Sequence, residues 1–435
     1  MKTTKFYLSK QVGDTVTLYN TATTDFAEIS EKSFEKYFIK GDFSSVDSDY
    51  ELIKAKKFIL PDDFDEDYQQ MLIRKGDGKE YEDNNSLWIL PTTFCNANCF
   101  YCYEKDAKDK HTMDYETADK AVEYILRTRN KEKPLFIEWY GGEPLVAHNI
   151  ITYICQRLLD EGVHITGRMV SNLGAMDKGL ALTARRIWNL ERINTTIDAM
   201  GARYDEIKAF RDGKNGGYHF DKLIDNIGYL IDQKITVEVR VAFDPMDISR
   251  SLDICDFIHN KFGENENLIM YCVPIVDENV RSVYDKFEEF EEHPYLTVMK
   301  KMWKYGYMRE RFQFFLEPKN INYYCPNPVD YVIDPHGDIY RYPRHTSKGK
   351  EFAIGNVVDG ITAERGTYGR NYTGLAPDKF LKGEMCRNCP ILPSCQREWK
   401  VDTVKCLKIL PIKEDAMYLF VQSEKKRLAK ESEQE

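Results

Sequence analysis

Cysteines stand at positions 95, 99 and 102 in the stretch Cys95-Asn-Ala-Asn-Cys99-Phe-Tyr-Cys102, directly after the apolar run Leu87-Trp-Ile-Leu-Pro91. Three thiolates spaced C-x3-C-x2-C on a short loop can hold three corners of a cubane iron–sulfur cluster. The fourth iron is then left without a protein ligand, whereas clusters that only transfer electrons have all four irons capped. An open iron suits a small chelating molecule that binds and reacts there. Tyr101, immediately before the last cysteine, is placed to lie beside a bound purine. The bland reading is a zinc loop or three unrelated core thiols. Zinc sites usually show paired C-x2-C spacings with a fourth ligand nearby. This loop has no His within its span and no second pair close by.

The loop resembles the signature of the radical S-adenosylmethionine (SAM) enzymes. That resemblance implies a 4Fe-4S cluster on Cys95, Cys99 and Cys102 whose open iron chelates the amino and carboxylate groups of SAM. Reductive cleavage of SAM then gives a 5′-deoxyadenosyl radical that abstracts hydrogen from a substrate. The cofactor carries the hard chemistry, and the protein supplies position and shielding. Such a cluster is oxygen-sensitive, so the expected setting is an anaerobic or low-oxygen cytoplasm with a flavodoxin- or ferredoxin-type electron donor.

From residue 86 to 280, apolar runs alternate with helical patterns, which predicts repeated βα units and a parallel sheet. Strands are expected at Leu87–Pro91, Leu135–Tyr140, Ile165–Val170, Ile193–Ile197, Val237–Ala242 and Leu268–Ile275, with helices between them such as Tyr115–Thr128, Ile150–Glu161 and Ile248–Phe262. Six units match the partial (β/α)6, TIM-like barrel of the radical SAM family. In a parallel barrel, functional groups collect at the C-terminal ends of the strands. The cysteine loop follows the first strand. Gly141-Gly142-Glu143-Pro144 follows the second, where two glycines permit close backbone approach and Glu143 can accept from an ammonium group. Ser171 and Asn172 follow the third and suit ribose hydroxyls. Asp198 ends the fourth, and Arg240 on the fifth suits a carboxylate. The Gly-Gly-Glu-Pro stretch resembles the family's SAM-amine motif. Tyr204-Asp-Glu-Ile-Lys-Ala-Phe-Arg211 resembles a segment that often reads His-Asp-x-x-Arg, but Lys208 stands at the usual Arg position and is assigned no SAM contact. Cys155, Cys255 and Cys272 lie within helical or strand patterns and read as buried structural thiols.

A second cysteine group closes the chain. Cys386-Arg-Asn-Cys389-Pro-Ile-Leu-Pro-Ser-Cys395 gives C-x2-C-x5-C, with Cys406 a short loop further on. By spacing alone, four thiolates suit either zinc or a fully ligated cubane. Behind a radical SAM barrel, this segment resembles the cysteine-rich SPASM extension, whose members usually hold two auxiliary clusters. The sequence departs from that pattern twice: Tyr342 and Trp399 occupy positions where the family has cysteines. Both losses fall on the first auxiliary cluster, and Cys325 alone cannot hold it. Two 4Fe-4S clusters are therefore expected in total, one SAM-binding and one auxiliary on Cys386, Cys389, Cys395 and Cys406. Cys325 is read as a buried thiol. Sulfatase-maturating relatives carry an Asp after the cysteine that Tyr342 replaces; here Pro343 follows.

Residues 1–85 read as small strands and short helices: a strand over Asp14–Asn20, a helix over Glu31–Tyr37 capped by Ser30, and a helix over Tyr68–Arg74. This pattern suggests a winged-helix-like module, and the polar stretch Gly76–Asn85 reads as the linker. Peptide-modifying members of the family often carry such a module, which binds a precursor's leader sequence along a sheet edge. The expected architecture is thus α/β: a leader-recognition module (1–85), a radical SAM partial barrel (86–280), and a SPASM-like domain with a C-terminal helix (281–435). The helix is read over Asp415–Glu435.

The 435 residues carry a net charge of −10, 42% hydrophobic residues and eleven cysteines. The charge argues against a nucleic-acid partner. No apolar run reaches membrane-spanning length, and the N-terminus lacks a signal peptide's apolar core, so no membrane is expected. The function expected is a radical SAM oxidoreductase that modifies a ribosomally made (RiPP) precursor peptide, forming a thioether or a carbon–carbon or carbon–oxygen cross-link. The rivals are sulfatase-type oxidation of a Ser or Cys, and a non-catalytic peptide-binding adaptor with structural zinc.

Overall fold

The computed structural model describes residues 1–75, 85–102, 104, 110–243, 247–274, 294–307, 316–318, 331–362, 381, 383–395 and 403–432. Two compact units account for its contacts: Met1–Gly78 with Met308–Cys325 and Tyr368–Glu435, and Lys79–Tyr307 with Pro326–Thr367.

The larger unit is built on parallel strands β6 (Ser86–Ile89), β7 (Leu135–Trp139), β8 (Ile165–Val170), β9 (Leu190–Ile197), β10 (Thr236–Phe243) and β11 (Leu268–Pro274), which pair in sequence order. Helices Tyr115–Thr128, His148–Asp160, Lys178–Arg186, Tyr218–Asp232 and Ile248–Phe262 make the crossovers. Asp114 and Asp177 cap two of these helices, accepting from the backbone N–H of Thr117 and Leu180. Side chains alternate across each strand. Ile137 and Trp139, Ile193 and Ile197, and Val237, Val239 and Val241 are wholly buried on one face. Burial of the other face as well is what a parallel sheet demands, yet that face carries Glu138, Asn194 and Glu238, all buried too.

β8 coincides with the sequence expectation, and the other strand ends lie within three residues of it, the largest difference being at β9, which begins at Leu190. The sheet also continues beyond β6. Strands β12 (Val332–Ile333), β13 (Asp338–Tyr340), β14 (Gly355–Asn356) and β15 (Gly360–Ile361) extend it to ten. Thus residues grouped by sequence with the C-terminal extension run parallel to β6 at β12 and then fold back antiparallel. Strands of two or three residues are too short to show a period, so no sequence pattern announced them.

The smaller unit holds a three-stranded antiparallel meander of β2 (Tyr7–Val12), β3 (Thr15–Asn20) and β4 (Phe26–Ser30). A short pair joins β1 (Lys2–Thr3) to β5 (Ile59–Leu60). Ser30 caps the following helix, accepting from Ser33 N–H, and that helix passes from an α-turn (Glu31–Phe34) into a π-turn (Glu35–Ile39). Helices Ser48–Ala55 and Glu66–Lys75 complete the N-terminal part. The C-terminal helix begins earlier than expected and runs Thr403–Ser432. It packs on β2 and β3, with ion pairs from Lys10 to Asp415 and from Lys425 to Glu28.

This unit also contains the second cysteine segment. Phe6 and Leu392 form a small core with Met71, Cys386 and Cys389 packed against it. Thr21 Oγ1 donates to the Pro390 carbonyl at 2.5 Å, and Arg387 Nε pairs with Asp67 at 2.5 Å. Arg74 is fully buried, and its Nη2 donates to the carbonyls of Leu392 and Cys395, each at 3.2 Å. Removing one side of a buried charged hydrogen bond strands its partners. Arg74→Met is therefore expected to cost about 2–4 kcal/mol of stability. Hydrogen exchange would read it as faster exchange over 386–395 and the N-terminal strands together.

Candidate active site

The loop bearing Cys95, Cys99 and Cys102 leaves the C-terminal end of β6. Its base is closed where Thr93 N–H and Thr92 Oγ1 donate to the His111 carbonyl at 2.9 and 3.0 Å. The next βα loop packs directly on it. Gly142 N–H donates to Thr92 O at 3.1 Å, and Glu143 N–H donates to Phe94 O at 3.0 Å. A Cβ on Gly141 would lie 2.3 Å from Thr92 O, and one on Gly142 would lie 2.4 Å from Phe94 O. The two glycines are needed because the backbones touch.

Glu143 is buried, and its carboxylate is occupied by the protein's own donors. Oε1 accepts from Ser171 Oγ (2.6 Å) and Leu145 N–H (3.1 Å), and Oε2 accepts from Asn172 N–H (2.7 Å). Burial raises its pKa above the usual carboxylate range, while these hydrogen bonds oppose the rise. Glu143 thereby ties the third strand-end loop to the second. Asn172 completes the circuit, since its Nδ2 donates to Asn96 Oδ1 at 2.7 Å within the cysteine loop and lies 3.9 Å from Cys95 Sγ.

Asp198, just past β9, is also engaged. It pairs with Lys208 Nζ at 2.7 Å and accepts from Tyr101 Oη at 2.7 Å. Burial opposes charge on Lys208, but Asp198, Tyr101, Tyr204 and Cys99 around it together outweigh burial, and the lysine pKa is held well above its ordinary value. Arg240 is half-buried, and its Nε donates to Thr196 Oγ1 at 2.9 Å. Cysteine loop, Gly141–Pro144, Ser171–Asn172 and Asp198 are thus joined by direct hydrogen bonds, whereas the Arg240 hydrogen bond to Thr196 stays within the sheet. Cys155, Cys255 and Cys272 are buried free thiols. Cys325 and Trp399 lie outside the described residues.

The donor set fits a cluster. Cys95, Cys99 and Cys102 are all half-buried. Burial pushes the Cys95 thiol up to about 12, with the Glu143 carboxylate adding to the shift. Thiolates there need a compensating cation, which a metal centre supplies. Ala97 N–H donates to Cys95 Sγ at 3.4 Å. Among the described residues, no three His, Cys, Asp or Glu side chains converge as a single metal ion would require. Zinc needs donors about 2.0–2.3 Å from one point, whereas a cubane takes each cysteine on a different iron.

Residues 89–257 match the profile of the Radical SAM superfamily. The central domain belongs to that superfamily. Its radical SAM relatives include the radical SAM cyclopropyl synthase TigE of Paramaledivibacter caminithermalis, 23% identical over 345 residues, covering 72% of this chain and 67% of TigE. An uncharacterised protein of Methanocaldococcus jannaschii is 30% identical over 131 residues, 29% of this chain and 43% of its own length. This chain therefore spans less than half of that relative. The solved structure of native anSMEcpe with bound AdoMet and Cp18Cys peptide shares the fold, with a TM-score of 0.50 and 14% identity, over 78% of this chain and 99% of that one. A radical SAM domain implies SAM and a 4Fe-4S cluster, and the three-cysteine loop is the group that fits the cluster.

Sequence reading missed a polar row on the sheet face opposite Ile137, Ile193 and Val237. Glu138 pairs with Arg168 at 3.2 Å, and Glu238 pairs with Arg192 at 2.6 Å. Asn194 Nδ2 donates to Glu238 (3.0 Å) and to Tyr271 Oη (2.7 Å). The signal was present: Glu138, Arg168, Arg192 and Glu238 lie inside strands that parallel pairing buries on both faces. It also missed Arg211, whose Nε donates to the Cys95 carbonyl at 3.0 Å.

Proposed function

We propose that this radical SAM enzyme modifies a ribosomally made precursor peptide, forming a thioether or a carbon–carbon or carbon–oxygen cross-link. The observation that carries the enzymatic part is the cysteine loop at the end of β6, hydrogen-bonded to the two following strand-end loops through Gly142, Glu143 and Asn172. When bound, cluster and SAM supply a 5′-deoxyadenosyl radical that takes a hydrogen atom from the peptide. The chain's own part is to hold the cofactors at this rim. Tyr101, the Gly141–Pro144 segment, Ser171, Asn172 and Arg240 would border the SAM position. Glu143, as acceptor for the SAM ammonium, and Asp198 would complete that border, and both also hold the loops together through the protein donors their carboxylates accept.

The peptide part is supported by the smaller unit. Its meander has β2 and β4 as edge strands, the kind of element to which an extended leader adds by backbone hydrogen bonds. The structural neighbour anSMEcpe has a bound peptide. In our reading this part is the winged-helix-like leader module and the C-terminal residues are a SPASM-like extension. Cys386, Cys389 and Cys395 sit on consecutive tight turns, with Cys389 N–H donating to Cys386 O at 3.1 Å and Cys395 N–H to Leu392 O at 3.1 Å. With Cys406, on the helix Thr403–Ser432, they would hold the auxiliary cluster. A flavodoxin- or ferredoxin-type donor would supply electrons in an anaerobic cytoplasm. No described helix is long and apolar enough to cross a membrane.

Anaerobic incubation of the reconstituted protein with SAM, dithionite and a leader-bearing peptide encoded beside its gene tests the proposal. The expected result is 5′-deoxyadenosine together with a peptide mass lower by about two hydrogens per bond formed. Release of 5′-deoxyadenosine with no change in any peptide offered would reject the peptide half. Iron and sulfide quantitation is expected to give about eight irons per chain, as two four-iron clusters require; close to twelve would show a third cluster.

A further inference from the structure

The helix Gly201–Lys208 ends against the cysteine loop, and its last residue is a lysine only 3% exposed. Lys208 Nζ lies 2.7 Å from Asp198 Oδ2 and donates to Tyr101 Oη at 3.0 Å. Tyr101 Oη in turn donates to Asp198 Oδ1 at 2.7 Å, which closes a triangle. The rings of Tyr101 and Tyr204 flank the ammonium, with centroids 5.7 and 5.5 Å away. The backbone is clamped at the same place. Asn98 N–H donates to the Lys208 carbonyl at 2.8 Å, Arg211 N–H donates to the Asn96 carbonyl at 2.8 Å, and Cys99 Sγ lies 4.0 Å from Lys208 O.

Stability alone gives little reason for an ion pair here, since apolar residues of similar volume often do as well in a buried site. The reason lies beside it. Three thiolates around a cubane leave net negative charge in a water-poor pocket, and that charge grows by one when the cluster accepts an electron. A fixed cation nearby favours the reduced form, and hydrogen bonds and charge around the sulfurs are known levers on cluster potential.

We propose that Lys208 is a positioning residue of the cluster site, with its ammonium holding Tyr101 and Asp198 around the cysteine loop and favouring one-electron reduction of the cluster bound there. The proposal rests on the cluster reading of Cys95, Cys99 and Cys102 and deepens it. No bond forms or breaks; the electron comes from the reductant.

The test is a potentiometric titration of the reconstituted full-length protein with dithionite, followed by electron paramagnetic resonance. The component that changes on adding SAM reports the open-iron cluster. Lys208→Met is expected to shift the reduction equilibrium at least tenfold toward the oxidised form, about 59 mV for a one-electron couple. It is also expected to speed iron loss to a chelator several-fold. Lys208→Arg should restore both, since it restores the charge. The double variant Lys208→Met with Asp198→Asn removes both charges; its potential should return towards wild type while iron loss stays fast. A Lys208→Met potential within twofold of wild type overturns the proposal. Should that variant not fold, wild-type iron retention in the double variant overturns it instead. Wild-type protein that takes up no iron would reject the cluster reading itself, before any variant is compared.

Discussion

Cys95→Ala is expected to bring 5′-deoxyadenosine release under dithionite down to background and to remove about one four-iron cluster per chain. With only three protein ligands, the site has no spare thiolate. Cys155 and Cys272 are buried free thiols elsewhere in the domain, and both are pushed up in pKa by burial alone or mainly. Neither is suited to act as a replacement ligand, because the thiolate is the ligand form. The matched control is Cys155→Ala. This thiol is buried in the helix His148–Asp160, so the change should cost about 1 kcal/mol of packing and leave 5′-deoxyadenosine formation in place. Chromatographic quantitation of 5′-deoxyadenosine and iron analysis decide it. Release retained in Cys95→Ala would remove the basis of the cluster assignment.

Gly142→Ala should damage the site nearly as much without touching a ligand. The added Cβ would lie 2.4 Å from Phe94 O and 2.6 Å from both Phe94 C and Thr93 O. All three are backbone atoms, so no side-chain rotation relieves the contact. Gly141→Ala meets Thr92 O at 2.3 Å and adds backbone strain, because Gly141 has φ +122°. Each change is expected to cost about 2–4 kcal/mol of stability through overpacking. The segment that must give way is the approach to Cys95. A displacement of about 1 Å at a reacting site costs roughly a hundredfold in rate, so 5′-deoxyadenosine formation should fall by that order in the protein that remains folded. Gly162→Ala provides the contrast: φ is +70° but nothing lies within 4 Å of its Cβ, so it strains one turn and should leave turnover unchanged. Thermal unfolding and 5′-deoxyadenosine rates measure both effects. Wild-type behaviour of Gly142→Ala would mean that the two loops do not pack as described.

These two expectations draw on different sources. The cysteine spacing, the apolar runs that become β6 to β11 and the placing of Gly141–Pro144, Ser171, Asn172 and Asp198 beyond strand ends were all legible in the chain. Each is a local pattern: spacing sets which thiols can share a cluster, and apolar period sets which residues face the helices. Even Ser30 as a cap could be read, because a cap bonds three residues ahead.

Partners distant in sequence left no such mark. Glu143 carries the residue type of an ammonium acceptor, yet only the packing of three loops shows that it also accepts from Ser171 and Asn172. Lys208 looked like a departure from a motif, and only the fold brings it under Tyr101 and against Asp198. Likewise, the chain's order places Cys386–Cys395 far from Phe6 and Arg74, and only tertiary structure puts them in one small core. Local sequence reports whether a residue will be buried. It does not report against what, because that choice is made by contacts between segments tens to hundreds of residues apart, each too weak to bias its own segment before the others are in place.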